Sequence, residues 1–89
     1  MNINKYSNPS IVMKKAKELN LNPIQLSSRK DKKYMVSDAK KLIHFGQMGY
    51  EDYTKHHDEK RRELFRKRNH KWKDAEKYSP AWLSYNLTW

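Results

Sequence analysis

Both glycines of the chain, Gly46 and Gly49, fall in one short stretch, Phe45-Gly46-Gln47-Met48-Gly49-Tyr50, and the hydropathy pattern changes across it. Glycine enters positive-φ backbone without steric cost, so the pair marks turn structure. Before the glycines lie short strand-like runs, of which Ile24 to Ser27 alternates apolar and polar residues in the manner of a half-buried strand. After them comes an acidic and aromatic passage, Tyr50 to Asp58, and then a burst of arginine and lysine from Lys60 to Arg68. A strand region closed by a turn and followed by a cationic helix is a surface suited to an anion.

Composition limits how such a chain can hold itself together. At 89 residues, with 36% hydrophobic and 34% charged side chains, it has material for one small core. Large rings therefore matter, since each buries roughly 150–250 Å². Twenty Lys and Arg against ten Asp and Glu leave a formal charge of +10, which favours a polyanionic partner. The absence of cysteine excludes disulfides, thiolate metal sites and thiol catalysis, and fits a reducing compartment. No run approaches the ~20 apolar residues of a membrane span. The opening MNINKYSNPS has no apolar signal-peptide region. The expected setting is an intracellular compartment or the inside of a particle, with no membrane partner.

Along the chain, residues 1–8 are expected to be a flexible N-terminus and residues 9–89 a single domain. Ser7 or Asn8 caps a first helix, Pro9 to about Leu19, with Val12, Ala16 and Leu19 on its apolar side. Asn20 and Asn22-Pro23 end it. Ile24 to Ser27 alternates as a strand, residues 28–32 form a hairpin loop, Tyr34-Met35-Val36 returns, and residues 37–40 turn again. Leu42 to Phe45 makes a third strand, stopped at Gly46. Short connections favour an antiparallel meander. Tyr50 to His57 reads as loop, and Asp58 caps a helix from Glu59 to about Asn69. A charged connector anchored by Trp72 leads to Ser79-Pro80, which starts a short aromatic helix expected to dock across the sheet.

Several constellations point to chemistry. Arg and Lys on the second helix outnumber what Glu59 and Glu63 can neutralise, and arginine's planar fork suits phosphate. The loop cluster Arg29, Lys30, Lys32 and Lys33 would extend that patch. Tyr50, Tyr53, Trp72 and Tyr78 have two readings: stacking on unpaired bases, or building the core of an aliphatic-poor protein. His56, His57 and Asp58 are adjacent, so their side chains diverge and make a poor zinc site. His44 with Asn69 or His70 loosely imitates a nuclease pair. There is no phosphate-binding glycine loop and no nucleophile elbow. Asp52 is expected to accept from Arg61 or Arg62, fixing the loop to the helix.

Taken in order, Phe45-Gly46, Tyr50, Asp52-Tyr53-Thr54, His56, Asp58, Arg61-Arg62, Arg68, Ser79, Leu83-Ser84 and Trp89 resemble a family of small basic proteins of uncharacterised function. Its members come from large double-stranded DNA viruses of eukaryotes and from tailed phages. The pattern is an FG turn, a YxDyTxHxDexRR run and a closing tryptophan, and the resemblance spans roughly residues 24–89. It implies a viral protein and supplies no activity. The chain has Leu83-Ser84-Tyr85 where phage members carry a YWS element.

The expected fold is α+β: an N-terminal helix, a three-stranded antiparallel sheet, a basic helix and a short aromatic C-terminal helix. The expected function is non-enzymatic nucleic-acid binding, with DNA favoured over RNA. Its phosphate contacts would come from Arg29, Lys30, Lys32, Lys33, Lys60, Arg61, Arg62, Arg66, Lys67 and Arg68. No cofactor, metal or catalytic residue is expected. The alternative is a minor structural or cement protein meeting capsid or other virion proteins; a small nuclease is a weaker one.

Overall fold

A computed structural model describes residues 3–89. Met1 and Asn2, part of the expected flexible N-terminus, lie outside the described residues. The remainder of that segment is docked: Ile3–Lys5 forms a 3₁₀ turn, Ile3 packs against the core, and Ser7 is 1% exposed. A first helix, α1 (Pro9–Glu18), starts where Asn8 accepts a hydrogen bond from Ser10 N at 3.1 Å, with Pro9 in the first turn. It ends in a Schellman arrangement. Asn20 takes φ 57°, Leu21 N donates to Ala16 O at 2.9 Å and Asn20 N to Lys17 O at 3.1 Å. Val12 and Ala16 are buried as their spacing requires, whereas Leu19 caps the helix end and is 43% exposed.

Strands β1 (Gln25–Leu26), β2 (Lys32–Asp38) and β3 (Lys41–Gln47) form an antiparallel sheet in the order β1-β2-β3. The β2–β3 hairpin closes on Ala39 and Lys40, both at positive φ (48° and 67°), the condition for the two-residue turn that matches strand twist. Tyr34 pairs with Phe45 and Val36 with Ile43, which places these apolar side chains on one face. β3 does not stop at Gly46 as expected. Lys32 pairs with Gln47 and Tyr34 with Phe45, setting Gly46 opposite Lys33 inside the ladder. A Cβ on Gly46 would stand 3.3 Å from Lys33 Cβ, so the missing side chain makes room for the lysine stem.

Residues 50–57 are not simply loop. Asp52 caps a single helical turn, α2 (Tyr53–His56), which ends on His57 at φ 54°. Asp58 then accepts from Lys60 N and Arg61 N at 3.0 and 3.2 Å to start α3 (Glu59–Arg68). A 3₁₀ segment, His70–Asp74, follows, and Ser79 caps α4 (Pro80–Leu83), which runs into a π-helical turn, Ser84–Thr88.

The core joins the two ends of the chain to the sheet: Val12 and Ala16 of α1, Ile24, Tyr34, Val36 and Phe45 of the sheet region, and Leu83 and Leu87 of the tail. The aromatic tail is thus part of the core, as its hydropathy demands. Each fully buried Leu contributes about 1.5–3 kcal/mol. This is a small α+β domain. Among the described residues no helix is long and apolar enough to cross a membrane.

Candidate functional site

A buried polar network fixes the segment after the glycines. Lys33 Nζ donates to Asp52 Oδ2 at 3.2 Å and to Tyr50 O at 2.6 Å. Asp52 Oδ1 accepts from both Thr54 N and Thr54 Oγ1. Thr54 Oγ1 in turn lies 3.1 Å from Ser7 Oγ, which shares a 2.6 Å hydrogen bond with Tyr34 OH. The expected partner of Asp52 was Arg61 or Arg62, and its ion pair is instead with Lys33. A charge taken out of water needs a nearby, geometrically good counter-charge, and β2 delivers one from directly beneath the loop. Burial pushes the Lys33 ammonium below its usual range, with Asp52 opposing the shift. Lys33, 3% exposed, is therefore withdrawn from the expected phosphate-contacting set.

The basic helix α3 has unlike sides. Arg62 lies 4.5 Å from the Tyr53 ring centroid and Arg66 lies 5.2 Å from that of Tyr85. Both donate to Trp89 O, at 2.9 and 3.1 Å. These two arginines hold α3 against the tail. Nearby, Lys15 of α1 is pushed below the usual lysine range, first by burial and then by Arg62 and Arg66. Lys60, Arg61, Lys67 and Arg68 are exposed. In the hairpin loop Lys30 is exposed, while Arg29 grips Asp31 through Nε and Nη2 at 3.2 and 3.0 Å.

Arg61, Leu64, Phe65 and Arg68 share one face of α3, and Trp72 continues it into the 3₁₀ segment. This face forms one wall of a groove of about 690 Å³, with Lys32, Gly46 and Tyr50 on the sheet side and Trp89 from the tail. Tyr50, Leu64 and Trp72 are 67%, 48% and 37% exposed there. Phe65 stacks on Trp89 with centroids 4.2 Å apart and planes at 6°, and meets Trp72 edge-on at 5.9 Å. Among the described residues the ion pairs are Arg29–Asp31, Lys33–Asp52 and Arg62–Glu59, so Lys32, Arg61 and Arg68 keep uncommitted charges beside exposed rings. Glu51 is the carboxylate in the same lining.

A family model described as a family of unknown function, DUF5754, matches residues 23–73. The chain belongs to the DUF5754 family. No curated protein and no solved structure matches it. The matched DUF5754 segment holds the sheet, α2, α3 and Trp72, and so most of the groove. It leaves out α1 and the tail, which supply Val12, Ala16, Leu83 and Leu87 to the core. The FG turn and the YxDyT run that carried the resemblance are structural in this DUF5754 protein: Gly46 admits Lys33, and Asp52 and Thr54 bind it into the network.

The histidines of the DUF5754 chain do not form one cluster: His44 and His70 sit apart in local contacts, while His56 and His57 both meet the Tyr53 ring edge-to-face. His44 Nδ1 shares a 2.7 Å hydrogen bond with Ser27 Oγ, and His70 Nδ1 lies 3.4 Å from Lys67 O. Asn69 Nδ2 donates to Phe65 O at 3.0 Å. His56 Nδ1 accepts from Asp58 N at 2.9 Å, while its Nε2 is buried without a partner beside Trp89. Burial, then Arg61, lowers the affinity of His56 for a proton. Among the described residues no group of three His, Asp or Glu side chains is placed to hold a metal.

Of the four aromatics with two readings, Tyr50 and Trp72 line the groove. Tyr53 lies under Arg62, with its hydroxyl donating to Glu59. Tyr78 packs on the core and accepts from Asn22 N at 2.9 Å. Phe65 and Trp89 also belong to the site, although in the sequence the first sits inside a cationic helix and the second closes the tail. The spacing of Arg61, Leu64, Phe65 and Arg68 carried a signal for the first; nothing local carried one for the second.

Proposed function

We propose that this protein is a non-enzymatic nucleic-acid-binding protein, with DNA favoured over RNA. Arg61, Arg68 and Lys32 contact phosphate, and Lys30, Lys60 and Lys67 add to the surrounding positive field. The observation that carries this reading is the groove, where uncommitted cations flank exposed aromatic side chains. That pairing is the one that binding to nucleic acid uses: cations track the backbone and rings meet bases. The formal charge of +10 adds long-range attraction to a polyanion. The viral setting, in a virion or inside an infected cell, rests on the sequence resemblance.

The test is a salt titration of binding to labelled duplex and single-stranded DNA. Affinity should fall steeply with salt. Arg61→Ala and Arg68→Ala should each lower the magnitude of the log–log slope by roughly one. Absence of binding to either form at about 50 mM salt would overturn the proposal, because phosphate contacts are strongest at low ionic strength. An acidic protein surface, as on a particle component, would then be the partner to seek by copurification.

A further inference from the structure

We infer that the groove between α3, β3 and the tail accepts an unpaired base, so that single-stranded nucleic acid rather than duplex is the ligand it is shaped for. This rests on the nucleic-acid reading above and deepens it. A duplex keeps its base faces stacked inside and offers phosphates to cations; it has no use for exposed rings set back in a groove. Here Tyr50 and Trp72 present ring surface to solvent, 67% and 37% exposed, within the same lining as Arg61 and Arg68.

The site is prepared before any ligand arrives. Phe65 stacks on Trp89 at 4.2 Å and stands nearly perpendicular to Trp72 at 5.9 Å. Trp89 is itself tied to α3 through hydrogen bonds from Arg62 and Arg66. A ring already held in place, as Trp72 is by its contact with Phe65, loses little freedom on binding. The volume, about 690 Å³, lies in the range of sites that enclose small organic ligands and is ample for a nucleotide. Arg61 and Arg68 bracket the aromatic stretch about 10 Å apart along the helix axis, given ~1.5 Å rise per residue. A base in the groove thus leaves its flanking phosphates facing a cation on each side. Glu51, in the same lining, disfavours a phosphate placed beside it.

The test compares an oligothymidylate, an abasic strand of the same length and charge, and a duplex, each by fluorescence anisotropy at low salt. The oligothymidylate should bind about tenfold or more tightly than the abasic strand, the ratio expected for even one good stack. Trp72→Ala and Tyr50→Ala should each weaken oligothymidylate binding and leave abasic binding unchanged. Tyr50 is the safer variant because its side chain is the more exposed, and circular dichroism checks that both variants are folded. Equal affinity for thymidylate and abasic strands would overturn the base site and leave phosphate binding intact. Tighter binding to duplex than to thymidylate would overturn it too. Failure to bind all three overturns the nucleic-acid reading itself.

Discussion

Lys33 Nζ lies 3.2 Å from Asp52 Oδ2, with the two side chains only 4% and 1% exposed. Through this pair the start of β2 holds the loop that leads into the basic helix. Removing one member strands the other in the interior. Lys33→Met or Asp52→Ala should each cost about 3–5 kcal/mol in urea unfolding, the range for breaking a buried pair. The double variant should cost clearly less than the sum, since no orphaned charge remains. Additive costs would mean that the two groups stabilise the fold independently.

Gly46 and Gly49 both have positive φ, 77° and 100°, but different surroundings. An alanine at either position is strained by its backbone conformation, by about 1–2 kcal/mol. At Gly46 the new methyl also meets Lys33 Cβ at 3.3 Å, while at Gly49 nothing lies within 4 Å. Gly46→Ala should therefore lower the unfolding midpoint more than Gly49→Ala. The reverse order would remove the steric role given to Gly46.

The arginines of α3 divide by task. Arg62→Ala forfeits a hydrogen bond to Trp89 O and the contact over Tyr53, and should cost about 1–2 kcal/mol of stability. It should change the salt slope of DNA binding far less than Arg61→Ala does. A comparable slope change from both would show that Arg62 reaches the ligand as well.

The surroundings of His56 should make stability depend on pH. Burial and Arg61 lower its pKa below the ordinary 6.5, while Asp58, Glu51 and Asp52 pull the other way. In the window just below 6.5 the unfolded chain binds a proton that the folded chain does not, so acid favours unfolding. Urea midpoints should fall between about pH 7 and pH 5.5, and His56→Gln should flatten that dependence. An unchanged pH profile in the variant would assign the effect to other groups.

The tail is a structural part of the domain. Leu83 and Leu87 are both fully buried against the sheet and α1. Leu87→Ala should cost about 2–5 kcal/mol. A chain ending before Pro80 should lose its cooperative thermal transition. A cooperative transition in the shortened chain would show that the core closes without the tail.

What could be read from the residues in order was whatever is set by neighbours along the chain. Asn8-Pro9, Asp58-Glu59 and Ser79-Pro80 announced three helix starts, because a cap bonds to backbone only two or three residues away. Short apolar runs at Tyr34–Val36 and Leu42–Phe45, bounded by polar turns, announced the β2 and β3 strands. The β2–β3 turn was legible as a turn, although its positive-φ residues are Ala39 and Lys40 rather than the usual Asn-Gly pair. The strand through Gly46 was missed because glycine normally interrupts a ladder, and only the crossing of the Lys33 stem explains its place there.

The candidate site was legible as a set of residue types and illegible as a surface. By itself the sequence determined a small α+β domain with a large positive charge and a cationic helix following two glycines. Only the tertiary structure decided which cations face outward. Lys33 turns in because Asp52, distant in sequence, arrives beside it; Arg62 and Arg66 turn to the tail because Trp89 returns to meet them; Arg61 and Arg68 are left at the groove. A charge is drawn inward when a partner lies within a few ångströms, and chain folding, not local spacing, brings that partner there.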